Sequence, residues 1–201
     1  MKTFATALFL LVFSVLSYSQ KKYNQGFYID ENESKVDCKM RYYRGSASMF
    51  QQSSCFIKII DSTGKKVKLT PEDIKTFKIE SDSFTIARNF VYYPLIGSLE
   101  KDFVKILQCG KINLYHHISS GVNGSGMSYD INTFVVSKNS REFFGIYNKK
   151  VFKRDFIKLV SDDFEVLKFI ESMDKIRWES YLPVIVTLYN NNWLESGMGS
   201  F

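Results

Sequence analysis

The chain has 201 residues, with 27 Lys and Arg against 21 Asp and Glu, so its formal net charge is +6. Hydrophobic residues make up 45% of the sequence, and a chain of this length can bury one good core. Aromatic residues make up 16%, and this high content favours β-strands. Three cysteines are too few for a small disulfide-stapled scaffold, and the length favours one domain with room for an appendage.

The first twenty residues have the layout of a secretory signal peptide. Lys2 supplies a positive charge, Phe4–Leu16 is an apolar run, and Ser17-Tyr18-Ser19 offers small residues for a cleavage site. A bilayer-spanning helix needs about 20 apolar residues, and this run is shorter. The sequence therefore predicts residues 1–19 as a signal peptide and an exported protein that is periplasmic, outer-membrane-associated or secreted.

No transmembrane segment is expected after the predicted cleavage site. The uncharged stretch Ser180–Leu194 near the end of the chain contains Pro183 and three consecutive asparagines. Removing the signal peptide deletes one lysine and no acid, so the formal charge of the mature chain becomes 26 − 21 = +5.

Residues 20–148 alternate between apolar and polar side chains and are predicted to form an antiparallel β domain, either a sandwich or a partly open barrel. The predicted hairpins, in chain order, are Gly26–Ile29 with Val36–Tyr43, Phe56–Ile60 with Lys66–Leu69, Phe77–Glu80 with Phe84–Ile86, Phe103–Gln108 with Lys111–Ile118, and Thr133–Lys138 with Glu142–Tyr147. Thr70-Pro71-Glu72-Asp73 carries the capping residues of a single helical turn. Phe90–Leu99 is expected to be irregular.

The period changes to that of a helix after Lys150. Phe152 and Phe156 recur at helical spacing, and Asp162 with Glu165 marks the start of a second helix whose apolar residues are Phe164, Leu167 and Ile170. Ser180 is a candidate cap for a third helix. Residues 149–201 are thus predicted as two to three short helices packed on the sheet, with a polar tail from about residue 190. Strands followed by helices give an α+β fold.

The three cysteines enter a compartment that permits disulfides, and the odd number leaves at least one thiol unpaired. Cys38 and Cys55 each alternate with apolar residues, so both are expected to point inward. They either bond to each other or remain two separate buried thiols. Cys109 lies beside Gly110 in a tight turn and is predicted to be a free thiol.

The sequence predicts no catalytic residue, no cofactor and no metal ligand. His116 and His117 are adjacent in a predicted strand, where successive side chains point to opposite faces. His116 shares a face with Ile112 and Leu114 and is expected to be partly buried, while His117 is expected to be exposed. No third ligand lies at the spacing of a metal site.

The basic residues gather at Lys65-Lys66-Lys68 and at Lys149-Lys150-Lys153-Arg154. For an exported protein we expect no nucleic-acid partner, and the candidate anions are lipid head groups or acidic glycans. The alternative is that the first group lies in a turn and the second on a solvated helix face, with no ligand for either.

Four segments together resemble a known group of proteins. The order of Gly26-Phe27-Tyr28-Ile29, Leu69–Phe77, Phe103–Tyr115 and a helical tail ending in Leu188-Tyr189-Asn190 is similar to a group of uncharacterised exported proteins of Gram-negative bacteria. The resemblance covers most of the mature chain. It implies a periplasmic or envelope-associated β-rich domain, and it implies no activity and no functional residues.

These observations favour a non-enzymatic module of the cell envelope that binds a protein partner or a surface component. Two long polar segments, Gly45–Ser54 and Gly121–Ser128, are expected to be loops over a rigid sheet, where binding sites are common. The alternative is a hydrolase of envelope polymers whose carboxylates meet only in the folded chain. A cleft with two carboxylates about 5–10 Å apart would favour the hydrolase.

Overall fold

The computed structural model describes residues 23–47, 52–93, 97–122, 125–138, 142–173 and 177–197, without the side chains of residues 47, 52, 93 and 193–197. The predicted signal peptide lies outside the described residues, as do Pro94 and the turn at Asn139-Ser140. Within the part of the chain that is described, no helix combines the length and the apolar character needed to cross a bilayer.

Most of the chain forms one sheet, in which nearly all strand pairs are antiparallel. The strands are β1 (Asn24–Asp30), β2 (Lys35–Tyr43), β3 (Ser46–Ala47), β4 (Gln52–Ser53), β5 (Phe56–Ile60), β6 (Lys66–Leu69), β7 (Ile74–Ile79), β8 (Asp82–Tyr93), β9 (Gly97–Gln108), β10 (Ile112–Val122), β11 (Ser128–Lys138) and β12 (Phe144–Ile146). Ten of them follow the order β12-β11-β10-β9-β8-β7-β1-β2-β5-β6, while β3 and β4 form a small ribbon attached to β10. The antiparallel sheet followed by short helices was predicted from the sequence.

The pairing of all five predicted hairpins is confirmed: β1 with β2, β5 with β6, β7 with β8, β9 with β10, and β11 with β12. Aspartates close two of the turns. The Asp30 carboxylate accepts hydrogen bonds from the backbone N–H groups of Asn32 and Ser34, at 2.9 and 2.8 Å. Asp61 does the same for Thr63 and Lys65. Such side-chain bonds favour a turn over continued strand.

The strands β8 and β9 are longer than the sequence indicates. Phe90 pairs with Leu99 and Val91 with Ser98, so most of the stretch predicted to be irregular belongs to this hairpin. The local interruption at Asn89, which has a left-handed φ of 52°, does not end the strand because the partner continues alongside it. Gly121 and Val122 likewise pair with Tyr129 and Ser128, so both ends of the predicted loop Gly121–Ser128 belong to the hairpin of β10 and β11, while residues 123 and 124 lie outside the described residues.

The segment at Thr70 is a turn and not a helix. The Thr70 backbone N–H and hydroxyl both donate to Asp73 Oδ2 at 2.7 Å, which closes the turn in the way the capping residues suggest. Strand β7 begins directly at Ile74, so the segment is too short to continue as a helix.

The sheet curls because distant strands meet at one place. β9 pairs with β10 only over a short stretch that includes Lys105 opposite His116. Further along β10, β3 pairs in parallel with Ser120 and Gly121. We call the place where β3 replaces β9 beside β10 the fork. Since β3 follows β2 directly in the chain, the fork brings the β1–β2–β5 part of the sheet against β9 and β10.

Within the described residues, three helical segments follow the sheet. α1 covers residues 149–159 and has π-helical Phe152–Phe156 between the short turns Lys149–Val151 and Ile157–Leu159. α2 is Phe164–Ser172 and α3 is Trp178–Gly197. Their apolar residues pack on one face of β10–β12 to form a cluster that includes Leu114, Val136, Ile146, Phe152, Val166, Leu182 and Ile185.

Three details of the helices differ from the prediction. The side chain that caps α2 is Asp163, whose Oδ1 accepts from the Val166 N–H at 3.0 Å, so Asp162 is left for another role. Phe164 is 74% exposed and does not join the core. α3 begins before Ser180 and continues into the predicted polar tail as far as Gly197, and the buried Asn190 side chain hydrogen-bonds Ile112 of β10.

Two further apolar clusters fill the sheet. One contains Phe90, Tyr92, Leu99, Val104, Tyr115 and Val135. The other lies between the β1–β2–β5 part and β7–β9 and contains Met40, Cys55, Ile57, Phe77, Phe84 and Phe103. The fork lies between these two clusters.

Candidate functional site

Three side chains of different chemistry meet at the fork. Cys55 immediately precedes β5, Asp102 lies in β9 and His117 lies in β10, and their exposed fractions are 0%, 1% and 0%. One donor atom of each residue lies within 4.8 Å of the others. We call Cys55, Asp102 and His117 the buried polar cluster.

The Asp102 carboxylate connects the members of this cluster. Its Oδ1 accepts hydrogen bonds from the backbone N–H groups of Cys55 at 2.9 Å and Phe103 at 2.8 Å, and its Oδ2 pairs with His117 Nε2 at 3.0 Å. Strand pairing is interrupted at the fork, so the carboxylate provides acceptors that a neighbouring strand would otherwise supply. This bonding joins β5, β9 and β10.

The Cys55 sulfur is held as a thiol. It accepts a hydrogen bond from the Gly45 N–H at 3.2 Å and also hydrogen-bonds the Tyr42 hydroxyl. Burial, and after it the nearby Asp102 carboxylate, raises the pKa of the Cys55 thiol above its ordinary value. A nucleophilic cysteine needs a lowered pKa and access to solvent. The cluster is therefore unsuited to cysteine-based catalysis.

The His117 ring is fixed by two aromatic neighbours. Phe90 and Tyr92 contact it edge to face, with ring centroids 5.3 and 5.4 Å away. Among the described residues, His117 Nδ1 has no hydrogen-bond partner, and neither do the buried hydroxyls of Tyr92 and Ser119. Buried polar atoms without partners are unfavourable. The cluster thus has unused donor and acceptor capacity, and its imidazole, thiol and carboxylate are all groups that bind metals.

The two histidines point to opposite faces of β10, as the alternation indicates, but the prediction that His117 is exposed is wrong. His116 is half-buried, stacks on Phe134 and hydrogen-bonds Asn132 at 3.1 Å. His117 is buried because the second face of β10 is covered as well, by the fork and by the cluster around Tyr92. The three members of the cluster are 47 and 15 residues apart in sequence, so no local spacing reveals them.

A second candidate site lies on the outer face of β2, β5 and β6. We call it the basic–aromatic face and define it as Tyr23, Arg41, Tyr43, Phe56, Lys58, Lys66 and Lys68. These residues, except Phe56, line a groove of about 700 Å³ together with Ile60 and Val67. The groove lies over the sheet and opens to solvent.

Strand register places cations of this face directly opposite one another. Arg41 of β2 pairs with Lys58 of β5, and Lys58 pairs with Lys68 of β6, so three positive side chains form one row across three strands. Tyr43 and Phe56 form the neighbouring row, and Lys66 belongs to the row on the other side. Like charges directly opposite each other destabilise a sheet.

The aromatic rings hold these cations in position. Tyr43 and Phe56 stack with centroids 4.8 Å apart. The Arg41 guanidinium lies 4.8 Å from the Tyr43 ring centre, and Lys68 Nζ lies 4.5 Å from that of Phe56. Such cation–π contacts at exposed sites contribute about 0.5–1 kcal/mol. No carboxylate among the described residues forms an ion pair with Arg41, Lys58 or Lys68.

The predicted basic groups have different surroundings. Lys66 and Lys68 belong to the basic–aromatic face, whereas Lys65 lies in the turn. Lys149, Lys150, Lys153 and Arg154 are exposed on α1, and Arg154 is paired with Asp155 at 2.6 Å. The sequence did not reveal Arg41 and Lys58 as members of one group, because only the pairing of β2, β5 and β6 aligns them.

The three cysteines all carry free thiols: Cys38 is half-buried, Cys55 is buried and Cys109 is exposed. Tyr43 of β2 pairs with Phe56 of β5 in antiparallel register, so Cys55 lies beside Arg44. Arg44 is six residues from Cys38 along the chain. That separation is about 20 Å along an extended strand, far beyond the span of a disulfide. The alternative of two separate thiols fits this register, and a Cys38–Cys55 bond does not.

One open cleft carries two carboxylates. It has a volume of about 520 Å³ and is lined by Ser54, Glu72, Ser98, Leu99, Glu100 and Lys101. The Glu72 carboxylate accepts a hydrogen bond from Lys101 Nζ at 2.8 Å. One of the two carboxylates of this cleft is therefore already engaged in an ion pair.

Comparison of the chain with protein-family models, with curated proteins and with solved structures gives no match.

Proposed function

We propose that this protein is an exported, non-enzymatic module of the cell envelope whose basic–aromatic face binds an acidic glycan. The observation that carries this proposal is the row Arg41–Lys58–Lys68, in which three cations face each other with no carboxylate between them. An arrangement that destabilises the free sheet becomes favourable when an anion lies across it.

The shape and composition of the face favour a polysaccharide. Tyr43 and Phe56 offer apolar rings beside the row of charges, and the C–H faces of sugar rings stack on aromatic side chains. The Arg41 guanidinium and the two lysines supply donors for carboxylates. Because the face is a groove, an extended chain fits it better than the flat surface of a lipid bilayer.

The predicted signal peptide supports the same ligand class. Export would place the basic–aromatic face outside the cytoplasm, where acidic glycans are available and nucleic acid is not. The resemblance to exported β-rich proteins is consistent with this location. Export is tested by the mass of the secreted or periplasmic protein, which should begin at Gln20; an intact Met1 in that fraction would contradict it.

The alternative, a hydrolase of envelope polymers, has less support. The cleft with Glu72 and Glu100 is the feature that resembles a pair of catalytic carboxylates, but Glu72 is engaged by Lys101. Both glutamates are exposed to solvent. Incubation with acidic glycans is therefore expected to leave their chain length unchanged.

The proposal is tested by binding to three defined probes: polygalacturonate, neutral dextran, and vesicles that contain anionic phospholipid. We expect the purified protein to bind polygalacturonate and not dextran, and to bind the vesicles more weakly than the polyuronate. Binding to vesicles alone would contradict the glycan assignment in favour of a lipid ligand. Binding to none of the three would contradict the proposed function.

A further inference from the structure

We propose that the buried polar cluster binds one Zn²⁺ ion through the Cys55 thiolate, the Asp102 carboxylate and the His117 imidazole. This site is separate from the basic–aromatic face and does not depend on the function proposed for it. A sulfur, an oxygen and a nitrogen donor atom lie within 4.8 Å of one another in these three residues, and all three residues are buried.

The donor set has the chemistry that Zn²⁺ prefers. Zinc in proteins is bound tetrahedrally by cysteine sulfur, histidine nitrogen and carboxylate oxygen, with bonds of about 2.0–2.3 Å, which places the donors roughly 3–4 Å apart. The cluster already has nearly this spacing. Small side-chain movements are sufficient to bring the three donors onto one ion.

Charge balance also favours a divalent cation. A Cys55 thiolate and the Asp102 carboxylate together carry two negative charges, which Zn²⁺ neutralises, and His117 binds as a neutral imidazole. The thiol proton is released to solvent when the sulfur binds the metal. Burial without a metal raises the pKa of the Cys55 thiol, and a bound divalent cation outweighs this effect because it stabilises the thiolate directly.

The surroundings already orient these ligands. The Gly45 N–H donates to the Cys55 sulfur at 3.2 Å, and two backbone N–H groups donate to Asp102 Oδ1. The rings of Phe90 and Tyr92 fix the plane of His117. Hydrogen bonds and packing of this kind hold metal ligands in place, and their loss typically weakens binding 10–100-fold.

A metal here would have a structural role. It would bond the start of β5 to β9 and β10 across the fork, where strand pairing is interrupted. Buried Tyr92, whose ring contacts His117 edge to face, also carries a hydroxyl that has no hydrogen-bond partner among the described residues. Because all three ligands are closed off from solvent, the ion is expected to bind as the chain folds.

The site is tested by refolding the purified protein under reducing conditions with Zn²⁺ or Co²⁺, followed by removal of free metal. We expect about one bound metal per chain, a higher unfolding temperature than for protein refolded with a chelator, and a thiolate-to-cobalt charge-transfer band in the Co²⁺ form. Absence of bound metal after refolding would overturn the proposal.

The cysteine variants assign the sulfur ligand. Cys38→Ser/Cys109→Ser leaves Cys55 as the one remaining thiol and should retain the charge-transfer band at full intensity. Cys55→Ser should lose the band and bind at least about tenfold more weakly. The first variant does not depend on how well Cys55→Ser folds, because it changes one exposed and one half-buried cysteine. Loss of the band in Cys38→Ser/Cys109→Ser would overturn the assignment to Cys55.

Discussion

Lys58 of β5 and Lys68 of β6 lie directly opposite each other on the outer face of the sheet, and Arg41 of β2 lies opposite Lys58 on its other side. Such a row is unusual in a surface that serves only to be solvated, because exchanging one cation for a neutral or acidic residue would relieve the repulsion. We therefore interpret the row as a feature retained for binding.

Replacing the central lysine tests this interpretation through stability. Lys58→Gln removes two like-charge contacts, each worth about 0.2–1 kcal/mol, and loses weaker contacts of Lys58 Nζ with Tyr43 and Phe56 at 5.2 and 6.0 Å. We expect unfolding in urea at low ionic strength to show a variant at least as stable as the wild-type protein. Since salt screens repulsion between exposed charges, added NaCl should stabilise the wild-type protein more than the variant.

The matched control is Lys150→Gln on α1, which makes the same charge change at an exposed position outside the face. Its free energy of unfolding should stay within about 0.5 kcal/mol of wild type. A Lys58→Gln variant that is clearly less stable at low salt would contradict repulsion within the row.

Asn190 provides a second test, of how α3 is attached to the sheet. Its Oδ1 accepts from the Ile112 N–H and its Nδ2 donates to the Ile112 carbonyl, both at 2.9 Å, so the side chain acts as a strand neighbour for β10. Asn190→Ala leaves both buried backbone groups unpaired, and we expect a loss of about 1–3 kcal/mol in the free energy of unfolding. The adjacent, exposed Asn191 is the control, and Asn191→Ala should have little effect; equal losses would contradict the role of Asn190.

The buried polar cluster makes a third prediction, for protein without metal. Asp102→Asn keeps the shape of the side chain but places an N–H₂ group or a weaker acceptor against His117 Nε2 and two backbone N–H groups. A buried polar group left without its hydrogen-bond partner typically costs about 1–3 kcal/mol, and chemical denaturation should show a loss of at least this order. Asp130, whose ion pair with Arg44 at 2.8 Å is exposed, is the comparison: Asp130→Asn should cost no more than about 1 kcal/mol.

Acid sensitivity is expected to depend on Asp162. Partial burial raises the pKa of this carboxyl, but hydrogen bonds from Lys138 and Tyr189 outweigh burial and hold the pKa at about 2. A pKa below that of the unfolded chain stabilises the fold above about pH 4, and this contribution disappears as the pH falls toward 2. Asp162→Asn should therefore be less stable than wild type at pH 7, with a difference that shrinks between pH 4 and 2. A difference that does not change with pH would contradict this pKa. The side chain is 49% exposed, so the effect should be modest.

The sequence predicted the elements whose signals are local. The turn at Asp61 and the alternation in Val36–Tyr43 each lie within one hairpin, and the pairing of each predicted hairpin was found from such patterns. The continuation of β8 past Asn89 was missed because it depends on the partner strand, which stabilises residues whose own sequence is irregular. Element boundaries in the helices shifted for the same reason, as Asn190 draws the polar tail into α3.

Neither candidate site could be read from spacing. Cys55 and Asp102 come together only because β3 reaches β10 at the fork, which no local pattern encodes. The sequence indicated only part of the basic–aromatic face, because Lys66 and Lys68 lie close together and alternate within one strand. Arg41 and Lys58 lie beside these lysines because of the register in which β2, β5 and β6 pair. The side-chain pattern of a solvent-facing surface specifies strand register only weakly.

The affinity of the purified protein for polygalacturonate, compared between two double variants of equal net charge, tests the proposed function most directly. Lys58→Gln/Lys68→Gln removes two cations of the row, and Lys150→Gln/Lys153→Gln removes two from α1. Calorimetric titration at low ionic strength should show at least about tenfold weaker binding for the first variant, or 1.4 kcal/mol, and near wild-type affinity for the second. Equal affinities of the two variants would show that net charge alone controls binding and would contradict a glycan site on the basic–aromatic face.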